Sequence, residues 1–375
     1  MRLRSGDRST VDMAAVRVAL AAVEDPELHL PLADAGMLGE VEAARDGTVR
    51  VTVRLTTPAC PLKETLVRDV TAAVGAVAGV RRVEVRFAAM SEGDRMALAA
   101  RLRGGRETDH PFGPRSSTQV YAVASGKGGV GKSTVTANLA VALAAAGKRV
   151  GVLDADVWGY SMPHLFGVRR APVALKGLML PVEAHGVALM SVGFFVDDEE
   201  PVVWRGPMLH KAIEQFLGDV HWGEPDVLLI DLPPGTGDVT ISLLELVPDA
   251  QLVAVTTPQP AARTVAERVG RMALDARMPI AGVVENMSTL VCGSCHASTP
   301  LFGSGGGQQL ADTVGAPLLG QVPLDVAVRE GGDAGTPVVL AAPGSPAARE
   351  LSRMAAGLPV VRRSLVGRPL PLSVV

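Results

Sequence analysis

Aromatic residues are scarce in this chain: seven Phe, three Trp and two Tyr among 375 residues. With so few rings, the core has to be filled by Ala, Val and Leu, which suits closely layered helices and strands. Cysteine is scarcer still. Cys60, Cys292 and Cys295 are an odd set of three, which excludes a disulfide framework. No apolar run reaches the roughly 20 residues of a membrane-spanning helix. The stretch from Met1 to Thr10 is polar and charged, with no apolar segment behind it, so no secretion signal is expected. A cytoplasmic protein is the expectation. Charge bias is missing too: 36 basic residues against 39 acidic ones leave a net charge of −3, without the basic stripe that nucleic-acid binders use. Neither nucleic acid nor membrane is expected as a partner. What is present is 47% hydrophobic residues and only 20% charged ones, which excludes a disordered chain. At about 100–200 residues per domain, this length suggests two domains.

The hydrophobic pattern divides the chain. Apolar residues from Val11 to Val23 recur at helical spacing and stop at Asp25-Pro26. Thr48 to Leu55 alternates with period two and reads as a half-buried strand. Thr57-Pro58-Ala59-Cys60-Pro61 forms a turn, a helix spans about Leu62 to Val77, and Val80 to Phe87 alternates again. Residues 8–90 therefore read as a small α+β domain. Gly104, Gly105, Pro111, Gly113 and Pro114 break the pattern, so 91–117 reads as a linker that opens with a short helix. From there strands at Val120–Ala124, Arg149–Leu153, Val227–Asp231, Gln251–Thr256 and Ile280–Glu285 alternate with helices. That alternation predicts a doubly wound, mostly parallel α/β domain over 118–360. The remainder, 361–375, is expected to be a loosely ordered tail.

The strand Val120–Ala124 runs into Gly126-Lys127-Gly128-Gly129-Val130-Gly131-Lys132-Ser133-Thr134, and a helical run follows. This is G-x-x-x-x-G-K-S in the strand–loop–helix context that gives it meaning. Glycines let successive N–H groups turn inward around phosphate oxygens, and the helix N-terminus adds the positive end of its dipole. Lys132 can reach the β- and γ-phosphates, and Ser133 can ligate Mg²⁺. ATP and Mg²⁺ are the expected ligands; the bland alternative is a glycine-rich turn with no ligand. Lys127 is not required by an ordinary phosphate loop. The whole string resembles the deviant phosphate loop of the SIMIBI-class ATPases, the group of MinD, ParA, the nitrogenase iron protein and the Mrp/ApbC carriers. The resemblance implies a homodimer in which Lys127 reaches the nucleotide of the other copy. A solvated lysine on the loop rim is the alternative.

Arg149–Leu153 ends in Asp154-Ala155-Asp156. Carboxylates at the C-terminal end of a parallel strand face the crevice where ligands bind. The resemblance implies that Asp156 positions the attacking water, joining Lys127 and Lys132 in catalysis, and that Asp154 supports the Mg²⁺ shell. A strand-end Asp capping the next helix is the rival reading for one of them. Tyr160 stands where family members often carry Pro. Val227–Ile230 leads into Asp231, the pattern of a magnesium-binding aspartate. Asp231-Leu232-Pro233-Pro234-Gly235-Thr236-Gly237-Asp238 resembles switch II of the Mrp/ApbC group, whose glycines let the loop move. In that family an Asn at the position of Asn286 binds adenine, and the segment matching Gln321 to Asp325, with Pro323, lies over the base. A structural turn Asn competes with that role.

Cys292-Gly293-Ser294-Cys295 provides two thiolates, whereas a tetrahedral site or a cubane cluster needs four. A symmetric dimer would bring two pairs together on its axis. This matches the Mrp/ApbC carriers, and the resemblance implies a [4Fe–4S] cluster held by Cys292 and Cys295 of both copies and passed to apo iron–sulfur proteins. Leu301-Phe302-Gly303 and Gly305-Gly306-Gly307 carry the same likeness. A bridging zinc, a redox dithiol and, through His296, a haem attachment motif are the competing readings. The segments around Asp25-Pro26-Glu27 and Thr57 to Pro61 resemble the SufT/DUF59-type domain fused to many Mrp proteins. Cys60 there is either a reactive thiol at a helix start or a small capping residue, with Asp34 and Glu64 nearby. Two other functions stay open: a MinD/ParA-type spatial regulator, and an ATPase handling zinc or nickel.

Overall fold

The computed structural model describes residues 11–57, 62–103, 111–113, 116–196, 206–292, 295 and 297–360. Cys60, His296 and the expected tail lie outside them. Two compact units divide the described residues. The first gathers the chain up to residue 103 together with Pro172–Pro181 and Asp219–Gly223; the second holds the rest.

In the first unit, Asp12 caps helix α1 (Met13–Ala21) by accepting the Ala14 and Ala15 N–H groups. Strands β1 (Leu38–Ala43) and β2 (Thr48–Leu55) are antiparallel, and β2 pairs in parallel with β3 (Arg82–Ala89) after helix α2 (Lys63–Gly75). The alternation in β2 is realised: Val49, Val51, Val53 and Leu55 point inward against Val16, Leu20, Leu66, Val70 and Val74. The helix expected at the start of the linker runs for twelve residues, α3 (Glu92–Arg103), and belongs to this unit. Ser91 and Asp94 form a capping box at its start, and Leu98 and Ala99 join the core. A hairpin from much later in the chain completes this core. Its strands, Val173–Leu175 and Leu178–Leu180, are joined by Lys176-Gly177. Both turn residues have positive φ, 48° and 78°, as the two-residue turn that matches strand twist requires. Leu175 and Leu180 are each 1% exposed, and Lys176 pairs with Glu92. Domain boundaries drawn along the chain at 8–90 and 118–360 do not anticipate this grouping.

The second unit is built on seven parallel strands: β4 (Gln119–Ser125), β5 (Val150–Asp154), β6 (Val187–Ser191), β7 (Val227–Asp231), β8 (Gln251–Thr256), β9 (Ile280–Val291) and β10 (Leu318–Leu324). Their order across the sheet is β6–β5–β7–β4–β8–β9–β10. Short antiparallel strands at Val182–Ala184 and Ser298–Thr299 extend it. Strands β5, β7 and β8 are buried along their whole length, which is why they read as unbroken apolar runs. Among the described residues no helix is long and apolar enough to cross a membrane. The expected mostly parallel α/β architecture is the one observed. Because the strands are parallel, their C-terminal ends share one edge. Register sets Ser191 of β6 beside Asp154 of β5, and Asp154 beside Asp231 of β7.

Candidate functional site

The phosphate loop lies between β4 and helix α4 (Lys132–Ala145). Its glycines have separate reasons. A Cβ on Gly126 would come 2.2 Å from the backbone nitrogen of Ala266, in helix α5 (Pro260–Asp275). Gly129 and Gly131 have φ of 79° and 80°, which only glycine adopts without strain. Gly131 precedes α4 and supplies no side-chain cap, leaving the first helical N–H groups to an anion.

Three residues donate to Asp231, which is fully buried. Lys132 Nζ donates to its Oδ2 at 2.5 Å, and Ser133 Oγ donates to the same oxygen at 2.6 Å. Thr136 Oγ1 donates to Oδ1 at 2.8 Å. Asp156 Oδ2 lies 3.8 Å from Lys132 Nζ. Burial pushes the Asp156 carboxyl above its usual range, and Lys132 opposes that. Asp154 holds both ends of the loop that follows β5. Its Oδ1 accepts the Asp156 N–H, and its Oδ2 accepts the Met162 N–H and the Ser191 hydroxyl at 2.9 Å. Burial, then the neighbouring Asp231 charge, raises the Asp154 carboxyl to about 7. The hard oxygens of Ser133 and Asp231 converge beside Lys132, a donor set that suits Mg²⁺. The assembly can bind a phosphate chain and a divalent cation and can hold a water.

Lys132, Ser133, Asp154, Asp156 and Asp231 thus come together. Lys127 does not join them: its Nζ donates to Gln259 Oε1 at 3.2 Å. The Asn286 Nδ2 donates to the Val130 carbonyl at 2.9 Å, so its amide nitrogen serves the phosphate loop. Thr134 lends its carbonyl to Asn138. Pro323 sits half-buried in β10. Thr136 and Ser191 escaped the reading of the sequence. Thr136 lies three residues after Ser133, on the same helix face, and Ser191 ends an apolar run just as Asp154 and Asp231 do; both signals were present.

Cys292 follows directly from β9, and its N–H donates to the Ala297 carbonyl. Cys292 and Cys295 are both exposed. Among the described residues no group of three or more His, Cys, Asp or Glu side chains could hold a metal ion. Within one chain, the described residues at this loop offer two thiols.

Known proteins resemble the chain along its length. A family described as the NUBPL iron-transfer P-loop NTPase matches residues 116–358, and an iron–sulfur cluster assembly protein family matches 13–86. An iron–sulfur cluster carrier protein of Mycobacterium leprae is 49% identical over 375 residues, covering 98% of each chain. One of Deinococcus radiodurans is 46% identical over 339 residues, 90% of this chain and 92% of that one. Among solved structures, a nucleotide-binding protein of Archaeoglobus fulgidus in complex with ADP aligns with a TM-score of 0.52 and 39% identity, covering 59% of this chain and 87% of the other. The likeness to the Mrp/ApbC carriers therefore holds at the level of whole sequences as well as motifs, and the chain belongs to the family of NUBPL-type iron-transfer P-loop NTPases, with an iron–sulfur cluster assembly domain ahead of the NTPase.

Proposed function

We propose that the chain is an ATP-dependent carrier of iron–sulfur clusters that works as a homodimer in the cytoplasm. In this reading the N–H groups of the phosphate loop and Lys132 bind the phosphates of ATP. Ser133 and Asp231 hold Mg²⁺, which when bound offsets the charge that develops on the transferred phosphoryl group. Asp154 supports that arrangement by keeping both ends of the following loop in place, and Asp156 orients the attacking water. Lys127 of each copy lends its charge to the nucleotide of the other, and Asn286 and Pro323 frame the base. Hydrolysis is slow, and the nucleotide state biases the loops that follow β5 and β7.

The cargo is a [4Fe–4S] cluster bound by Cys292 and Cys295 of two copies, for delivery to apo iron–sulfur proteins. The observation that carries this reading is the pair of exposed thiols just past the end of β9, the same strand whose Asn286 touches the phosphate loop. Two thiols per chain make half of a cubane's ligands, and a two-fold axis supplies the other half. The relatives' names point the same way. The test is anaerobic reconstitution with iron and sulfide of wild type and of Cys292→Ala/Cys295→Ala. The expected result is about one [4Fe–4S] cluster per wild-type dimer and none in the variant. Protein that takes up zinc or nickel on the same pair, but no iron, would replace the cluster with a single-metal cargo.

A further inference from the structure

Glu285 is 1% exposed, and both of its carboxylate oxygens meet neutral donors. Its Oε2 accepts the Gly307 N–H at 2.5 Å and its Oε1 accepts Gln321 Nε2 at 2.6 Å. A buried carboxylate is costly unless its oxygens are satisfied, so these two bonds fix what they touch. Gly307 lies in the first turn of helix α6 (Gly306–Val314), the element at which the chain returns from the cysteine excursion. A Cβ on Gly307 would come 2.6 Å from Glu285 Cβ, and one on Gly306 would come 2.5 Å from the Pro258 carbonyl. The two glycines are therefore pressed onto β9 and onto the segment before α5.

Both supports lead to the phosphate loop. Glu285 and Asn286 are successive residues of β9 and face opposite sides of the sheet. Asn286 bonds the Val130 carbonyl, and a Cβ on Gly131 would come 2.2 Å from its Nδ2. Pro258 precedes Gln259, which accepts the Lys127 ammonium. The cysteine loop leaves from β9 and returns at Gly306, and its return is held by Glu285 and Pro258, each adjacent to a residue that touches the nucleotide loop.

We infer that Glu285 is a positioning residue for the cysteine loop: it locks the return of that loop onto the strand that Asn286 ties to the phosphate loop, so that nucleotide binding alters the accessibility of Cys292 and Cys295. This rests on the carrier reading, but its test reads thiols rather than iron. In full-length protein with Cys60→Ser, the alkylation rates of Cys292 and Cys295 are measured with and without a slowly hydrolysed MgATP analogue. Nucleotide is expected to slow wild-type alkylation about fivefold, the lower end of ordinary site-to-site coupling. Glu285→Gln puts an amide nitrogen against one of two donors and should abolish the nucleotide effect while ATP turnover persists. The swap Glu285→Gln/Gln321→Glu exchanges amide and carboxylate: the new amide on β9 donates to the new carboxylate on β10 while its carbonyl still accepts the Gly307 N–H, and the effect should return. Should Glu285→Gln fail to fold, Gln321→Ala removes one of the two bonds from a surface position and should weaken the effect. The inference is overturned if wild-type thiols ignore nucleotide, if Glu285→Gln or Gln321→Ala responds as wild type does, or if the folded swap stays uncoupled. Thiols that respond to nucleotide in a protein that takes up no iron would sink the carrier reading and leave this one standing.

Discussion

Replacing Asp154 by Asn should alter the pH dependence of stability more than stability itself. Asp154 is fully buried, and burial, with the Asp231 charge beside it, raises its carboxyl to about 7 against an ordinary value of 3.8. The native state therefore holds this proton more tightly than the unfolded chain does. The wild-type protein loses stability through this group as pH rises from about 4 to about 7, and the loss levels off above that. At about 1.4 kcal/mol per pH unit, the two units between pH 5 and pH 7 amount to at most about 3 kcal/mol. Asn carries no such proton. It does lose one acceptor, for the Asp156 N–H or for the Met162 N–H and Ser191 hydroxyl, at a pH-independent cost of about 1–2 kcal/mol. The variant should thus gain on wild type by about 1–3 kcal/mol from pH 5 to pH 7 and run parallel to it above pH 8. The assay is guanidinium unfolding by circular dichroism in EDTA, following the transition that added ADP is expected to move to higher denaturant. Asp156 titrates in both proteins and cancels in the difference. A difference that stays constant from pH 5 to pH 8, whatever its size, refutes the argument that burial and the Asp231 charge hold a proton on Asp154.

Two further outcomes follow from the geometry around the phosphate loop. Thr136→Val keeps the shape of a buried side chain but leaves Asp231 Oδ1 without its hydroxyl; a destabilisation of about 1–3 kcal/mol and weaker MgATP binding are expected, measured by denaturation and by nucleotide titration. Gly131→Ala places a methyl group at φ 80° and against the Asn286 amide. It should reduce ATP affinity at least about tenfold, the equivalent of about 1.4 kcal/mol, in equilibrium binding. Adding Asn286→Ala should recover part of that loss, because it removes the steric conflict but not the strained backbone.

The local patterns were legible in the sequence. The phosphate loop, Asp231 and Asp156 stand in short strings whose meaning depends on the strand before and the loop after, and buried parallel strands announce themselves as apolar runs. Strand Val227–Asp231 has the bounds its pattern predicts, and β9 begins where expected but continues to Val291, because its last residues pair with Ser298–Thr299. What could not be read is set by contacts far apart in the chain. Glu285 looks like one more residue of a strand until Gly307, 22 positions later, is brought against it. The Lys176-Gly177 hairpin is a local turn, yet its apolar strands belong to a core whose other residues lie before position 104. Gln259, which accepts the Lys127 ammonium, is likewise a partner no local pattern names.

That hairpin also sets a timetable. A unit whose core needs Leu175 and Leu180 as well as Val16 and Leu66, and which includes Asp219–Gly223, is incomplete when its first hundred or so residues leave the ribosome. Translation must go on for roughly another 120 residues, about 6–24 s at ordinary elongation rates, before the last piece can arrive. During that interval the half-finished core exposes apolar surface, and the assembly domain at the front of the chain closes only after the phosphate loop and much of the NTPase have been made.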